Sequence, residues 1–491
     1  MPTIKNAPFA RRKFLRHGVM GLAGLSLRGA DTTTNRPNVL FFAVDDLRPE
    51  LGCYGVKAIK SPNIDRIAKR GMTFDRAYCQ QAVCSPSRTS LLTGSRPDTT
   101  KVWDLVTHFR DAIPNVVTLP QHFRQNGYFV QGMGKIFHPG YDDERSWSVP
   151  WQTPKAPAYA MKSAPPVTDG GKPRQKDGPA FESAEVADNF YKDGMVADMA
   201  VSTLRGLKGK STPFVLAVGF AKPHLPFVSP RKYWDLYDPA QIKLASNPFR
   251  PKDAPDYALT TSGELRNYVG MPASGPIPDH LARTLKHGYY AAVSYMDAQI
   301  GKVLDELDRQ GLRQNTIIVL WGDHGWKLGE HGEWCKHSNV ENDTNAPLLL
   351  SMPGMKNAGK HSRALVEFVD IYPTLSELAG LPLPAHLEGT SFKALLEDPE
   401  RPWKRAAFSQ YPRDKQLMGY SMRTDRYRFT VWVGRDDHSR VDAIELYDHR
   451  TDPRENINIA QSPAGKELVD RLMEQWRRGW RGAAADNGTP K

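Results

Sequence analysis

The fold of this chain is decided by one stretch, Asn38-Val39-Leu40-Phe41-Phe42-Ala43-Val44-Asp45-Asp46. Its apolar run over 39–44 is continuous, which predicts a strand buried on both faces in a parallel sheet. Two aspartates follow at once. Open α/β sheets bind ligands at the carboxyl ends of their central strands, so Asp45 and Asp46 are candidate site residues. Paired aspartates also cap helices, and this pair alone does not separate the two roles.

The same pattern recurs three times along the chain. Apolar runs at 128–130, 214–220 and 316–320 each lead into a loop that holds Asp, His or Lys beside Gly or Pro. A single histidine in such a loop is more often structural. The inference of a site therefore depends on all four loops converging. Loops after parallel strands build sites, so we expect their polar side chains to meet at one edge of the sheet. These side chains are Lys135, His138, His224, Asp323 and His324.

Helical and antiparallel segments complete the predicted fold. Residues 64–69 and 281–309 read as helices, and the apolar stripe of the longer one is interpreted as core. Beyond residue 402, short strand-like runs at 405–409, 419–423, 427–433 and 443–447 predict one antiparallel sheet. Residues 465–482 predict a closing amphipathic helix with Leu468, Leu472, Trp476 and Trp480 on one face. The fold class is therefore α/β, with a large, mixed, mostly parallel sheet between helices and a smaller C-terminal antiparallel subdomain.

Domain boundaries follow from these changes in sequence pattern. We expect a catalytic domain over 36–400 and a C-terminal subdomain over 401–491. Two proline-rich stretches without periodicity, 149–180 and 238–280, are either substrate-facing insertions or plain surface loops.

Composition and the N-terminus indicate an exported globular protein. The chain has 491 residues, 40% hydrophobic and 24% charged, which suits a large folded core. About half of its net charge of +12 lies in residues 1–30, which read as a twin-arginine signal peptide around Arg11-Arg12-Lys13-Phe14-Leu15. We expect a periplasmic or extracellular location, with the Tat translocase as a partner. We expect no membrane span, since no later run approaches the ~20 apolar residues required. We also expect no nucleic-acid partner, since no nucleic-acid-binding motif is present.

A second stretch carries the chemistry: Cys84-Ser85-Pro86-Ser87-Arg88, followed by Leu92-Thr93-Gly94. Pro86 suits the first turn of a helix and Gly94 the position just past its end, which puts Cys84 at the helix N-terminus. The free N–H groups there favour negative charge, and Arg88 adds a cation one turn further on. The residues predict a site for a tetrahedral oxyanion. A thiolate nucleophile is one interpretation, although the cysteine phosphatase loop places its arginine six positions after the cysteine. A modified cysteine is the other.

These motifs together resemble the type I sulfatases of the alkaline phosphatase superfamily. In that family the cysteine of Cys-Ser-Pro-Ser-Arg, followed by Leu-Thr-Gly, is oxidised to Cα-formylglycine. The resemblance runs from Asn38 to the end of the chain, is weakest over 149–180, and implies an alkaline-phosphatase-like fold. It implies a sulfuric ester hydrolase that acts on sulfated saccharides, with 2-O-sulfated uronic acids as the expected class. A formylglycine-generating enzyme would be a further partner.

The resemblance also implies roles for individual residues. One divalent cation, expected to be Ca²⁺, would be held by Asp45, Asp46, Asp323, His324 and the residue made from Cys84. Many sulfatases have Asn at the position of His324. Three cations, Arg88, Lys135 and Lys336, would disperse the charge of the sulfate while a hydroxyl of hydrated formylglycine attacks sulfur. His224, assisted by Lys336, would protonate the leaving oxygen, and His138 would deprotonate the second hydroxyl to release sulfate.

Two alternatives stay open on the sequence. A phosphonate or phosphate monoester hydrolase of the same superfamily could use the same fold and the same modified residue. A non-catalytic protein that binds sulfated glycans would keep Cys84 as a thiol. Conversion of Cys84 would leave Cys53, Cys79 and Cys335, too few for a disulfide framework.

Overall fold

The computed structural model describes residues 36–161, 168–169, 172–173, 176–414 and 416–483. The predicted signal peptide over 1–30 lies outside these residues. Among the described helices, none combines the length and the apolar character that a bilayer span requires.

The strands follow one another along the chain in this order. They are β1 (Asn38–Val44), β2 (Met72–Phe74), β3 (Ala77–Tyr78), β4 (Phe129–Gly134), β5 (Thr168–Asp169), β6 (Lys172–Pro173), β7 (Lys176–Pro179), β8 (Phe181–Ala184), β9 (Phe214–Phe220), β10 (Phe227–Pro230), β11 (Tyr268–Val269), β12 (Thr316–Gly322), β13 (Leu348–Ser351), β14 (Lys360–Ser362), β15 (Val366–Glu367), β16 (Ala406–Arg413), β17 (Leu417–Thr424), β18 (Tyr427–Gly434) and β19 (Val441–Asp448).

The α-helices are interleaved with these strands. They are α1 (Pro62–Arg70), α2 (Cys84–Thr93), α3 (Pro97–Thr100), α4 (Phe109–Ala112), α5 (Leu119–Gln125), α6 (Lys192–Leu207), α7 (Arg231–Trp234), α8 (Gly263–Arg266), α9 (Asp279–Arg309), α10 (Glu341–Thr344), α11 (Ile371–Leu378), α12 (Lys393–Glu397), α13 (Pro463–Arg477) and α14 (Gly479–Gly482).

The central sheet has seven strands in the order β14-β2-β13-β12-β1-β9-β4. The four strands that were predicted from apolar runs lie side by side, and β12, β1, β9 and β4 pair in parallel. Val44 at the end of β1 pairs with Gly322 of β12 and with Phe220 of β9, so the carboxyl ends of these strands are aligned. Strand β13 runs antiparallel to β12, which makes the sheet mixed. The predicted convergence of the four loops at one edge of the sheet is confirmed.

Both faces of this sheet are buried, as the continuous apolar run of β1 predicts. Leu40, Phe42 and Val44 pack on one side with residues of α1, α6 and α9. The alternate residues of β1 pack on the other side with residues of α2, α5 and α11. Strand side chains alternate between faces, so the unbroken apolar run 39–44 must sit between two apolar layers. The long helix α9, predicted over 281–309, spans Asp279–Arg309 and buries its apolar stripe in the first of these layers.

The C-terminal region contains the predicted antiparallel sheet, in the order β16-β17-β18-β19. The prediction of one continuous closing helix over 465–482 is wrong. Helix α13 ends at Arg477, and Gly479, the first residue of the short α14, takes a left-handed φ of 61°. Glycine adopts this conformation at little steric cost, so the chain turns there. Trp480 thus lies on α14, where its ring stacks 4.8 Å from the guanidinium of Arg96. The division of the chain at residue 400 stays a prediction.

Candidate active site

Helix α2 begins at Cys84, as the positions of Pro86 and Gly94 predict, and every residue of the helix is buried. Gly94 ends it with a left-handed φ of 67°. The Sγ atom of Cys84 lies 3.3 Å from Asp45 Oδ1 and 3.5 Å from His324 Nε2. Lys135 Nζ lies 3.6 Å from the same sulfur. The cysteine therefore stands where the ends of β1, β12 and β4 meet.

Three carboxylates converge on this cysteine from two neighbouring strands. Asp45 and Asp46 follow β1 and Asp323 follows β12, and each is at most 1% exposed. Asp46 adopts a left-handed φ of 56°, and its backbone N–H donates to Asp323 Oδ1 at 3.0 Å. A left-handed conformation is uncommon for residues other than glycine and costs about 1–2 kcal/mol, so the surrounding contacts must hold it. The backbone after β1 is therefore shaped to turn both aspartates into the site.

His324 is oriented by its own backbone. Its Nδ1 lies 2.9 Å from the carbonyl oxygen of Gly325, an acceptor, so Nδ1 carries the hydrogen. Nε2 is then the nitrogen directed into the site. It faces Asp46 Oδ1 at 3.5 Å and Asp323 Oδ1 at 3.6 Å. An imidazole fixed through one nitrogen and directed by the other is the usual arrangement of a metal-ligating histidine.

The donor set suits a hard divalent cation. Asp45, Cys84, Asp323 and His324 each offer one ligand atom, and these atoms lie within 4.8 Å of one another. Asp45, Asp46, Cys84 and His224 form a second, overlapping group at the same spacing. Carboxylate oxygens are the preferred ligands of Ca²⁺ and Mg²⁺. The residues present therefore fit the divalent cation that the family resemblance implies.

Arg88 lies behind the carboxylates. Its Nε donates to Asp323 Oδ2 at 2.9 Å and its Nη2 to Asp45 Oδ1 at 3.3 Å. Nη1 donates to the backbone carbonyl oxygens of Lys135 and Ile136. The side chain is fully buried, so its donors are occupied within the protein. Arg88 thus orients two carboxylates, and its role in dispersing the charge of the sulfate stays a prediction.

Lys135 and His138 follow β4 and approach the cysteine from another side. Lys135 pairs with Asp45 through Nζ. Burial, followed by the charge of Lys135, lowers the pKa of His138 to about 4. The imidazole is therefore neutral near pH 7. Its Nδ1 is buried and has no hydrogen-bond partner among the described residues.

Lys336 and His224 form the remaining cationic side of the site. Lys336 Nζ lies 3.1 Å from Asp46 Oδ1 and 2.8 Å from Glu264 Oε2. His224 Nε2 lies 3.0 Å from Glu264 Oε1. Glu264 belongs to α8, within the stretch 238–280, and it was not among the residues predicted from the sequence. No local motif surrounds it that could have indicated a role.

The cysteine itself is a poor thiolate in this environment. Burial, followed by the negative charge of Asp45, raises the pKa of the Cys84 thiol well above its ordinary value. Lys135 and Lys336 oppose the shift without reversing it. The thiolate interpretation of the motif also requires an arginine that faces the anion, whereas Arg88 donates to protein oxygens. The geometry therefore speaks against a thiolate nucleophile.

Comparison with known proteins identifies the class. The sulfatase family profile matches residues 37–381, and that of the N-sulphoglucosamine sulphohydrolase C-terminal region matches residues 329–479. The chain belongs to the sulfatase family and is a sulfuric ester hydrolase. It is 37% identical to iduronate 2-sulfatase of Mus musculus, over 87% of this chain and 92% of that protein. It is 36% identical to the Homo sapiens enzyme, over 90% and 94% of the two chains. The predicted membership of the type I sulfatases is confirmed, and a non-catalytic role is set aside.

Solved structures confirm the fold. One, determined with its substrate D-glucosamine-2-N,6-O-disulfate, superposes with a TM-score of 0.71 at 22% identity, over 92% of this chain and all of that one. The phosphonate monoester hydrolase of Silicibacter pomeroyi superposes with a TM-score of 0.72 at 22% identity, over 92% and 96% of the two chains. At this level of identity the likeness concerns the fold alone.

The predicted site residues are thus brought to one edge of the sheet. Direct contacts connect nine of them: Asp45, Asp46, Cys84, Arg88, Lys135, His224, Asp323, His324 and Lys336. His138 is placed beside them through its position after β4 and the influence of Lys135 on its pKa. Sequence reasoning missed Glu264 and Tyr289, whose hydroxyl donates to the carbonyl oxygen of Asp46 at 2.8 Å.

Proposed function

We propose that this sulfatase removes sulfate from sulfated saccharides, with 2-O-sulfated uronic acids as its substrates. The similarity to two iduronate 2-sulfatases supports this substrate class. The proposal includes conversion of Cys84 to Cα-formylglycine and a bound Ca²⁺. One observation carries the chemistry: the cysteine Sγ lies within 3.6 Å of a carboxylate, an imidazole and an ammonium group at a helix N-terminus.

The cation and the aldehyde would supply a Lewis acid and an oxygen nucleophile, which the unmodified chain lacks. A Ca²⁺ held by Asp45, Asp46, Asp323 and His324 would polarise the sulfate oxygens as a Lewis acid. The hydrated aldehyde at position 84 would supply an oxygen nucleophile for attack on sulfur.

The chain's own residues supply charge and proton transfer. Lys135, close to position 84 and to Asp45, stabilises negative charge on the sulfuryl oxygens. Lys336 and His224 face the side opposite Lys135 in our proposal, where they protonate the departing sugar oxygen. His138 is neutral near pH 7 because its pKa is about 4. It can therefore accept the proton of the second hydroxyl at position 84. Arg88 keeps Asp45 and Asp323 in place through the two ion pairs described above.

A comparison of substrates tests this proposal. We expect free sulfate, measured by ion chromatography, from a heparin disaccharide that ends in a 2-O-sulfated uronic acid. A matched disaccharide sulfated only at the 6-position of glucosamine serves as the control and should release little. Equal turnover of both would contradict the uronic acid assignment, and no release from either would contradict the proposal as a whole.

A second candidate is hydrolysis of phosphonate or phosphate monoesters. It is favoured by the superposition with a phosphonate monoester hydrolase, whose fold is as close as that of the sulfated-sugar complex. Turnover of 4-nitrophenyl sulfate and 4-nitrophenyl phosphate under the same conditions separates the two. The proposal expects a clear preference for the sulfate ester.

We further propose export by the Tat translocase to the periplasm or the extracellular space. The twin arginines Arg11 and Arg12 support it. That pathway carries folded protein, so a formylglycine-generating enzyme could act on Cys84 before export. Replacing both arginines with lysine should keep the enzyme inside the cell, which fractionation measures.

A further inference from the structure

Glu264 contacts two cationic side chains of the site at once. Its Oε1 lies 3.0 Å from His224 Nε2, and its Oε2 lies 2.8 Å from Lys336 Nζ. The carboxylate is 13% exposed, so it is largely shielded from water. One carboxylate bridging a histidine and a lysine fixes the distance between them.

His224 is held at both ring nitrogens. Its Nδ1 lies 2.6 Å from the carbonyl oxygen of Leu225, which can only accept. Its Nε2 faces the carboxylate of Glu264 and lies 3.9 Å from Asp46 Oδ2. Contacts at both nitrogens hold the ring in one orientation. Nε2 is the nitrogen that faces the carboxylates of the site, since Nδ1 is occupied by the backbone.

Glu264 is fixed to the same segment that carries Lys336. Ser262, just before α8, has a left-handed φ of 57°, and its hydroxyl accepts from the Trp334 N–H at 2.9 Å. The Thr260 N–H donates to Glu333 Oε1 at 2.5 Å. Residues 260–262 are therefore tied to residues 333–334, close before Lys336. The distance between Glu264 and Lys336 is therefore fixed, because these hydrogen bonds connect the two segments that carry them.

We propose that Glu264 is a positioning residue, which holds the His224 ring and the Lys336 ammonium next to each other at the place where the ester oxygen leaves the sulfur. This inference rests on the proposed function and deepens it. An alcohol is a poor leaving group, so cleavage depends on proton donation at the correct distance and angle. Glu264→Gln keeps the shape of the side chain. It removes the negative charge and puts an amide donor where one of the two cations had an acceptor.

A double-variant cycle with the 2-O-sulfated heparin disaccharide tests the inference. We expect kcat of Glu264→Gln to fall on the order of 10–100-fold with little change in KM, since proton donation is impaired and binding is not. In the His224→Asn background, Glu264→Gln should lower kcat by a much smaller factor. The double variant then retains more activity than the product of the two single losses predicts, because both changes affect one proton transfer.

Glu367→Gln is the matched control. Glu367 is a carboxylate 1% exposed that accepts from Arg96 at 2.8 and 2.9 Å, outside residues 260–264 and 333–336. Its loss and that of His224→Asn should multiply, as independent effects do. Thermal melting verifies that each variant is folded. Glu264→Asp, which keeps the charge, replaces Glu264→Gln in the cycle should the latter fail to fold.

The outcomes separate the inference from the function on which it rests. Multiplicative losses for Glu264→Gln and His224→Asn, or a change in KM alone, overturn the positioning role while the wild-type enzyme still releases sulfate. A wild-type enzyme that releases no sulfate from the disaccharide overturns both.

Discussion

Replacement of Arg88 by alanine tests the electrostatic design of the site. The guanidinium is fully buried and donates to Asp45, Asp323 and two backbone carbonyl oxygens. Its removal leaves two buried carboxylates with less compensation and two carbonyl oxygens without a donor. Breaking a buried ion pair on one side costs about 3–5 kcal/mol, since the remaining charge is desolvated and unpaired.

That cost translates into a measurable shift of the melting temperature. At about 2.1 cal/mol/K per residue, the unfolding entropy of ~450 residues is roughly 0.9 kcal/mol/K, so Tm should fall by about 3–6 °C. Differential scanning calorimetry measures the shift. Arg88→Lys keeps a positive charge but cannot reach all four acceptors at once, because an ammonium group lacks the planar fork of a guanidinium. We expect it to recover part of the stability and little of kcat.

Arg96→Ala is the control for this experiment. Arg96 is 7% exposed, and its guanidinium pairs with Glu367 at 2.8 and 2.9 Å instead of with a carboxylate of the site. It should lower Tm and leave kcat unchanged at 25 °C. The reasoning is refuted by a Tm of Arg88→Ala that equals the wild-type value, or by an Arg88→Lys enzyme of full activity.

Four further outcomes are expected. Chelation by EDTA should abolish sulfate release and added Ca²⁺ should restore it, and activity that survives chelation would speak against the metal site. Lys135→Ala should lower kcat on the order of 10²–10³-fold in steady-state assays, because one charge that stabilises the sulfuryl oxygens is lost; an unchanged kcat would exclude that role. Gly219→Ala should lower both Tm and kcat, since a Cβ there would lie 2.2 Å from the carbonyl oxygen of Lys135. Burial opposes ionisation of Glu330, but Arg48 lowers its pKa to about 2, below the ordinary 4.5. The stability from this pair is present above pH 4.5 and is lost as pH falls towards 2, so the difference between wild type and Glu330→Gln in acid denaturation should vanish over that window.

The sequence predicts the parts of the fold that depend on continuous local pattern. Strands β1, β9 and β12 appear as unbroken apolar runs because both faces of each are covered. The polar residues directly after them could be assigned to one site, because parallel strands end at the same edge of the sheet. The bounds of helix α2 could also be predicted, since Pro86 and Gly94 mark its two ends.

Other features depend on contacts between distant segments and could not be read in this way. The direction of Arg88 is set by Asp45, Asp323 and the carbonyl oxygens after β4. Glu264 lies in a stretch without periodicity and reaches the site only because residues 260–262 bind residues 333–334. The turn at Gly479 interrupts a pattern that still looks helical, since apolar residues on both sides keep the helical spacing.

The central claim is that an aldehyde derived from Cys84 is the nucleophile. Mass spectrometry of the tryptic peptide that carries this residue, on preparations made with and without a formylglycine-generating enzyme, tests it most directly. We expect the aldehyde mass in active preparations, with sulfate release proportional to the converted fraction. A preparation that contains only the intact thiol and yet desulfates the disaccharide at full rate would contradict the account.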